Sequence, residues 1–301
     1  MKLGMIGLGR MGANMAERLM RGGHLLAGFD PKAEARKALE DKGAESADSL
    51  AALVAKLPAP RTLWLMVPAG EITDGTLAGL LPLLAAGDTV IDGGNSNYKD
   101  TLRRAATFAE RKITFIDCGT SGGVWGLAEG FSLMVGGDEA AVERLRPIFE
   151  ALAPAKDRGW GRVGPVGSGH FTKMVHNGIE YGLMQAYAEG FSILQHKSDL
   201  GLDLHQVAEI WRHGSVVRSW LLDLTAAALE KNPAMAGIAP YVEDSGEGRW
   251  TVAEAIDLNV AAPVITQSLI ERLRSRDNDS FSDKLLSAMR NEFGGHAIRK
   301  E

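Results

Sequence analysis

The stretch KLGMIGLGRMGANMAERLM, residues 2–20, decides the fold. A short apolar run ends in Gly7, Gly9 and Gly12, spaced G-x-G-x-x-G, and RMGANMAERLM then carries apolar residues at helical spacing. Strand, glycine turn and helix in that order open a parallel α/β sheet. Further short apolar runs, LLAGFD, RTLWLMVP, DTVIDGG, ITFIDCG and FSLMVGG, alternate with helical patterns such as KDTLRRAATFAERK. The alternation predicts a Rossmann-type, doubly wound, mostly parallel sheet over residues 1–165. Beyond the GPVGSG punctuation at 164–169, strand signals fade. FTKMVHNGIEYGLMQAYAEGFSILQ, DLHQVAEIWRHG, SWLLDLTAAALEK, WTVAEAIDLNV, VITQSLIERLRSR and FSDKLLSAMRNEF predict an all-α second domain over residues 166–301.

Composition excludes several classes. At 301 residues and 45% hydrophobic content the chain can bury a large core, consistent with two domains. A net charge of -5 and the absence of a basic run argue against nucleic acid as a partner. The single cysteine, Cys118, permits no intrachain disulfide and reads as a small core residue at a strand end, in a reducing compartment. LAGLLPLLAAG, residues 77–87, is too short and too punctuated to span a bilayer. The expectation is a soluble, cytoplasmic protein that engages neither membrane nor metal.

The GLGRMG turn, Gly7, Leu8, Gly9, Arg10, Met11 and Gly12, lets backbone N–H groups approach a pyrophosphate at a helix N-terminus. The second strand ends in Asp30, where a carboxylate accepts hydrogen bonds from an adenosine ribose diol and repels a 2′-phosphate. NAD is therefore expected over NADP, although Lys32 and Arg36 keep NADP open. Asp30 also suits an N-cap for the helix PKAEARKAL.

Two later stretches fall where open α/β sheets bind ligands. DGGNSNYKDT, residues 92–101, follows the strand TVI and places Asn95 at the carboxyl edge. CGTSGGVWGLAEG, residues 118–130, follows ITFID and offers a hydroxyl and backbone amides from Ser121, Gly122 and Gly123 to a carboxylate. Ordinary turn chemistry is the competing reading of both. In HFTKMVHNGIEYG, residues 170–182, the polar residues Lys173, His176, Asn177, Glu180 and Tyr181 occupy the stripe that a helix normally keeps apolar. One reading is a buried structural network. The other is acid–base chemistry, since burial lowers the pKa of an amine and raises that of a carboxyl.

GLGRMGANMAERL, MVPAG, DGGNSNYKDT, GTSGGVWGLAEG and GSGHFTKMVHNGIEYGLMQ together closely resemble the 6-phosphogluconate dehydrogenases in their short-chain form, within the β-hydroxyacid dehydrogenase superfamily. The resemblance implies oxidative decarboxylation of 6-phosphogluconate to ribulose 5-phosphate in the pentose phosphate pathway. It makes Lys173 the general base for the substrate 3-hydroxyl and Glu180 the acid that protonates C1 of the enediol. It places Asn177 and His176 on the sugar hydroxyls, and Asn95 with Ser121, Gly122 and Gly123 around the carboxylate and the nicotinamide. Val67, Pro68 and Ala69 join the cofactor residues, and Tyr181 points at the phosphate.

The phosphate also needs cations, for which Arg272, Arg290 and His296 are the candidates, with Arg274 an alternative to Arg272. The tail RNEFGGH resembles a family segment that reaches the neighbouring subunit's active site, implying a homodimer or homotetramer. One departure stands out: in DSGEGRWT, Ser245 and Glu247 occupy places where long-chain members carry a phosphate-binding lysine and threonine, and Arg249 follows. Two other functions remain open: a β-hydroxyacid dehydrogenase for an unphosphorylated acid such as 3-hydroxyisobutyrate, and a nucleotide-sensing binding protein without catalysis.

Overall fold

The computed structural model describes residues 1–299. The chain divides into two compact units, Met1–Asn177 and Gly178–Glu301.

The first unit runs β1 (Lys2–Ile6), α1 (Arg10–Arg21), β2 (Leu25–Phe29), α2 (Ala33–Glu40), β3 (Glu45–Ala47), α3 (Leu50–Ala55), β4 (Thr62–Leu65), α4 (Glu71–Leu80), β5 (Thr89–Asp92), α5 (Tyr98–Ala109), β6 (Thr114–Ser121), α6 (Gly126–Glu129), β7 (Ser132–Gly136), α7 (Glu139–Arg144), α8 (Arg146–Leu152) and β8 (Trp160–Gly164), and then enters α9 (Ser168–His196). The strands form one sheet in the order β3-β2-β1-β4-β5-β6-β7-β8. All pairings are parallel except β6 with β7, which is antiparallel. The order reverses direction between β1 and β4, which opens a crevice at the carboxyl ends of those strands.

Sheet residues alternate between two apolar layers, as the two-residue period of a strand requires. Leu3, Met5, Trp64 and Ile91 join the cluster that contains Met15, Leu19, Ile148 and Phe149. Ile6, Leu63, Leu65 and Val90 join the opposite cluster with Leu53, Leu77, Leu80 and Phe108. Each fully buried side chain of this size contributes roughly 1.5–3 kcal/mol. Helix α1 buries Gly12, Met15, Ala16 and Leu19, a stripe at i, i+3, i+4 and i+7.

Three details depart from the sequence reading. Strands β3 and β8 were not expected, because ESA and WGRVG lack a continuous apolar run and lie at the edges of the pairing order. Strand β6 continues through Ser121, so the first part of the CGTSGG segment is strand rather than turn. Cys118 accordingly lies within β6 and not at its end, fully buried, and burial pushes its thiol pKa up, which leaves it unreactive. The first compact unit extends to Asn177, because the first turns of α9 pack onto β6. A Cβ added to Gly119 would stand 2.5 Å from the Lys173 Cβ, and one added to Gly169 would stand 2.8 Å from the Asp117 carbonyl oxygen.

The second unit continues α9 and adds α10 (Leu204–Arg212), α11 (Trp220–Lys231), α12 (Glu247–Asp257), α13 (Pro263–Arg274) and α14 (Phe281–Gly294). No strand occurs there among the described residues. Asp203, Ser219 and Ser280 cap α10, α11 and α14 through their side chains. Phe191, Ala208, Leu222, Ala226 and Leu229 form the apolar core of this unit. No described helix is long and apolar enough to cross a membrane.

Candidate active site

The glycine turn fits a pyrophosphate. Gly7 has φ +89°, and a Cβ on it would stand 2.4 Å from the Met66 carbonyl oxygen; one on Gly12 would stand 1.9 Å from the Gly7 oxygen. These two glycines let the strand, the turn and α1 close on each other. Gly9 differs, because a Cβ there would meet nothing within 4 Å. It is the N-cap of α1, which has no side-chain cap and no acidic residue in its first turn. Gly9, Arg10 and Met11 therefore open a helix N-terminus toward free space, where an anion is favoured. Asp30 Oδ2 accepts from the Leu8 N–H at 2.8 Å and Oδ1 from the Lys32 N–H at 2.9 Å. The N-cap of α2 is Lys32, so Asp30 shapes the turn ahead of that helix rather than capping it. Arg36 Nη1 donates to the Asp30 and Pro31 carbonyls at 2.8 and 3.1 Å.

The loops after β4 and β5 meet beside this turn. A Cβ on Gly7 would stand 2.9 Å from Val67 Cγ1, and one on Gly94 2.5 Å from the Val67 oxygen. Pro68 and Ala69 are exposed, and the Pro68 carbonyl accepts from Thr73 Oγ1 at 2.8 Å. Asp92 is buried at the end of β5, with Oδ1 taking the Gly94 N–H at 3.0 Å and Oδ2 the Ser96 hydroxyl at 2.8 Å. Gly93 lies against the indole Nε1 of buried Trp64, which has no hydrogen-bond partner. Asn95 adopts φ +53° and joins β6 through both halves of its amide: Nδ2 donates to the Thr120 carbonyl at 3.0 Å, and Oδ1 accepts from the Thr120 N–H at 2.9 Å. Ser121, Gly122 and exposed Gly123 follow at the end of that strand.

Helix α9 is anchored by a carboxylate that the sequence reading missed. Asp117 is fully buried in β6, accepting from the Gly167 N–H at 2.6 Å and the His170 N–H at 2.8 Å. Burial holds its pKa above the usual carboxylate range, against the opposing pull of His170. His170 Nδ1 pairs with Thr101 Oγ1 at 2.7 Å. One turn later comes Lys173, 5% exposed, its Nζ donating to Asn177 Oδ1 at 2.5 Å and lying 3.2 Å from His176 Nδ1. Lys173, His176 and Asn177 thus form one hydrogen-bonded group, seated against Gly119 just before Thr120 and Ser121.

Within the second unit, Glu180 is half-buried and Tyr181 buried. The Tyr181 hydroxyl accepts from the Ser245 N–H at 3.2 Å, and a Cβ on Gly248 would stand 2.4 Å from its ring. Arg272 lies over that ring, 3.5 Å from guanidinium carbon to centroid, and donates to the Glu243 carbonyl at 2.8 Å. Arg274 instead pairs with Asp283, so Arg272 is the arginine at Tyr181. Glu247 is buried in the first turn of α12, its Oε2 without a partner. Arg249 turns to Asp244 at 2.9 Å, which resolves where that cation points. Arg290 and His296 are exposed at the end of α14 and beyond it; the His296 carbonyl accepts from Asn291 Nδ2 at 2.8 Å.

Arg104 was missed as well. It is 3% exposed on α5, donating to Asp74 Oδ1 and Ser96 Oγ, each at 2.8 Å. A signal existed: Thr101, Arg104, Ala105 and Phe108 form the buried stripe of α5, so a cation stands on an apolar face as Lys173 does. Among the described residues, no cluster of three or more His, Cys, Asp or Glu could hold a metal ion.

Residues 2–162 match the NAD binding domain of 6-phosphogluconate dehydrogenase, and residues 169–284 match its C-terminal domain. The NAD(+)-dependent, decarboxylating 6-phosphogluconate dehydrogenase of Haloferax volcanii is 47% identical over 100% of this chain and 99% of its own. The decarboxylating enzyme of Haemophilus ducreyi is 39% identical over 92% of this chain, which spans 60% of that protein. The solved Plasmodium falciparum 6-phosphogluconate dehydrogenase superposes with a TM-score of 0.84 at 28% identity, over 100% of this chain and 66% of that one. A Mycobacterium tuberculosis 3-hydroxyisobutyrate dehydrogenase, 23% identical over 92% of this chain and 94% of its own, shares the fold with a TM-score of 0.74. With both matched regions in register along the sequence, this chain belongs to the 6-phosphogluconate dehydrogenase family.

Proposed function

We propose that the chain oxidatively decarboxylates 6-phospho-D-gluconate to D-ribulose 5-phosphate and carbon dioxide, preferring NAD, in the cytoplasmic pentose phosphate pathway. The observation that carries this reading is the buried Lys173 amine, hydrogen-bonded by Asn177 and seated on Gly119 in the sheet that bears the glycine cradle. Residues 1–165 bind the nucleotide in this reading, and residues 166–301 bind substrate and pair subunits.

Bound NAD supplies the hydride acceptor. Gly7, Leu8, Gly9, Arg10, Met11 and Gly12 hold the pyrophosphate, Asp30 the ribose diol, and Val67, Pro68, Ala69 and Asn95 the nicotinamide side. Lys173 takes the proton of the 3-hydroxyl as hydride leaves C3. The 3-keto acid then loses its carboxylate as carbon dioxide, while the Lys173 ammonium stabilises the charge that develops on the keto oxygen. Glu180 delivers a proton to C1 of the enediol, which yields ribulose 5-phosphate. Ser121, Gly122 and Gly123 face the carboxylate, and His176 and Asn177 the hydroxyls. Tyr181 and Arg272 face the phosphate, joined by Arg290 and His296 from a neighbouring subunit of a homo-oligomer.

Initial rates of nicotinamide reduction with 6-phosphogluconate, compared for NAD and NADP with trapping of carbon dioxide, test the reading. Turnover favouring NAD with stoichiometric carbon dioxide is expected. Folded protein that turns over neither cofactor would overturn it.

A further inference from the structure

Arg104 is a buried cation with no part in the proposed chemistry, and its contacts all lead to the two loops beside the glycine turn. Nε donates to Asp74 Oδ1 at 2.8 Å near the start of α4, and Nη2 to the Gly70 carbonyl at 3.3 Å at the end of the Val67–Pro68–Ala69 loop. Nη1 donates to Ser96 Oγ at 2.8 Å and to Asp92 Oδ2 at 3.4 Å, the two groups that form the turn carrying Asn95. A rigid guanidinium fork reaches all four acceptors at once, which an ammonium cannot do. A Cβ added to Gly94 would stand 2.5 Å from the Val67 oxygen, so the two loops also approach each other closely there.

We propose that Arg104 is a positioning residue for the nicotinamide side of the cofactor, fixing the spacing between the Val67–Ala69 loop and the Asn95 turn before the nucleotide arrives. This rests on the nucleotide site proposed above. Without the clamp the two loops sample other spacings, and apparent affinity falls by the fraction of time spent in the competent one. Asp92, Ser96 and the Gly70 carbonyl would also lose donors that one ammonium cannot supply together, while Arg103 still donates to Asp74, so the Asn95 turn loosens at its base and Asp30 and the glycine cradle stay as they are. The nicotinamide half of the cofactor should therefore feel the change, and the adenosine half should not.

The test compares wild type, Arg104→Lys, Asp74→Asn and Ser96→Ala by calorimetric titration with NAD and, separately, with ADP-ribose, which lacks the nicotinamide. Arg104→Lys should weaken NAD by about tenfold, corresponding to one-tenth occupancy of the competent spacing, with ADP-ribose within about twofold. Asp74→Asn and Ser96→Ala should each shift NAD in the same direction by less. Equal losses for NAD and ADP-ribose, or unchanged NAD affinity in folded variants, would overturn the proposal. If Arg104→Lys does not fold, the two milder variants decide by the same NAD-to-ADP-ribose ratio. Wild type that binds neither ligand would instead sink the nucleotide-site reading itself.

Discussion

Replacing Lys173 by methionine keeps most of the buried stem and removes the amine. We expect kcat with 6-phosphogluconate to fall by about 10²- to 10⁴-fold, while calorimetric NAD affinity stays close to wild type; retained turnover would remove Lys173 from the base role. Glu180→Gln should nearly abolish ribulose 5-phosphate formation, and near-normal turnover would count against the acid role. Asp244 gives a pH prediction. Its hydrogen bonds to Arg249 and then Arg276, opposed by burial, hold its pKa below the ordinary 3.8. A lowered folded pKa means that its stabilisation is complete above 3.8 and is lost as the pH falls through the folded value. Urea unfolding of wild type and Asp244→Asn should therefore differ at pH 7 and converge in strong acid. Lys173 could be found from sequence because an ionisable residue on an apolar stripe is anomalous. Asp117 could not: it ends the run ITFID as an ordinary strand-end aspartate would, and its buried hydrogen bonds to Gly167 and His170 depend on tertiary packing.

At the scale of elements, the turn between β1 and α1 separates two uses of glycine. Gly12→Ala would drive a methyl group into the Gly7 carbonyl 1.9 Å away, so stability and nucleotide binding should fall together. Gly9→Ala meets nothing within 4 Å and has an extended backbone at φ -62°, so stability should move by less than about 0.5 kcal/mol. Its methyl group nevertheless intrudes where the pyrophosphate would lie, so NAD affinity should drop; thermal melts and titrations of both variants check the contrast. The buried strands β1, β4, β5 and β6 were legible because residues covered on both faces give near-continuous apolar runs. Strand β3, three residues long, offers no such run, and the reversed direction of β7 leaves no local trace, since direction is set by how the chain returns to the sheet. Helices α10, α11 and α14 of the second unit were legible almost to their ends through apolar period and Asp or Ser caps, but Gly246 opens α12 without a side-chain cap, ahead of the expected Trp250.

For the whole molecule, the second unit exposes Phe281 at 75%, Ile193 at 71% and Val264 at 68%, large apolar side chains that a subunit interface would cover. We expect sedimentation to give a dimer or larger, and deletion of residues 290–301 to raise the KM for 6-phosphogluconate; an unchanged KM would remove the tail from the neighbouring site. The buried Trp64 beneath Gly93 has an optical consequence. Of six tryptophans, Trp64 is fully shielded, whereas Trp125 and Trp220 are about half exposed. Its emission should form the blue edge of the protein's fluorescence, and its indole lies one glycine away from the turn assigned to the nicotinamide. Arrival of the reduced cofactor should quench that edge first, so the enzyme carries a built-in, label-free meter of its own redox occupancy.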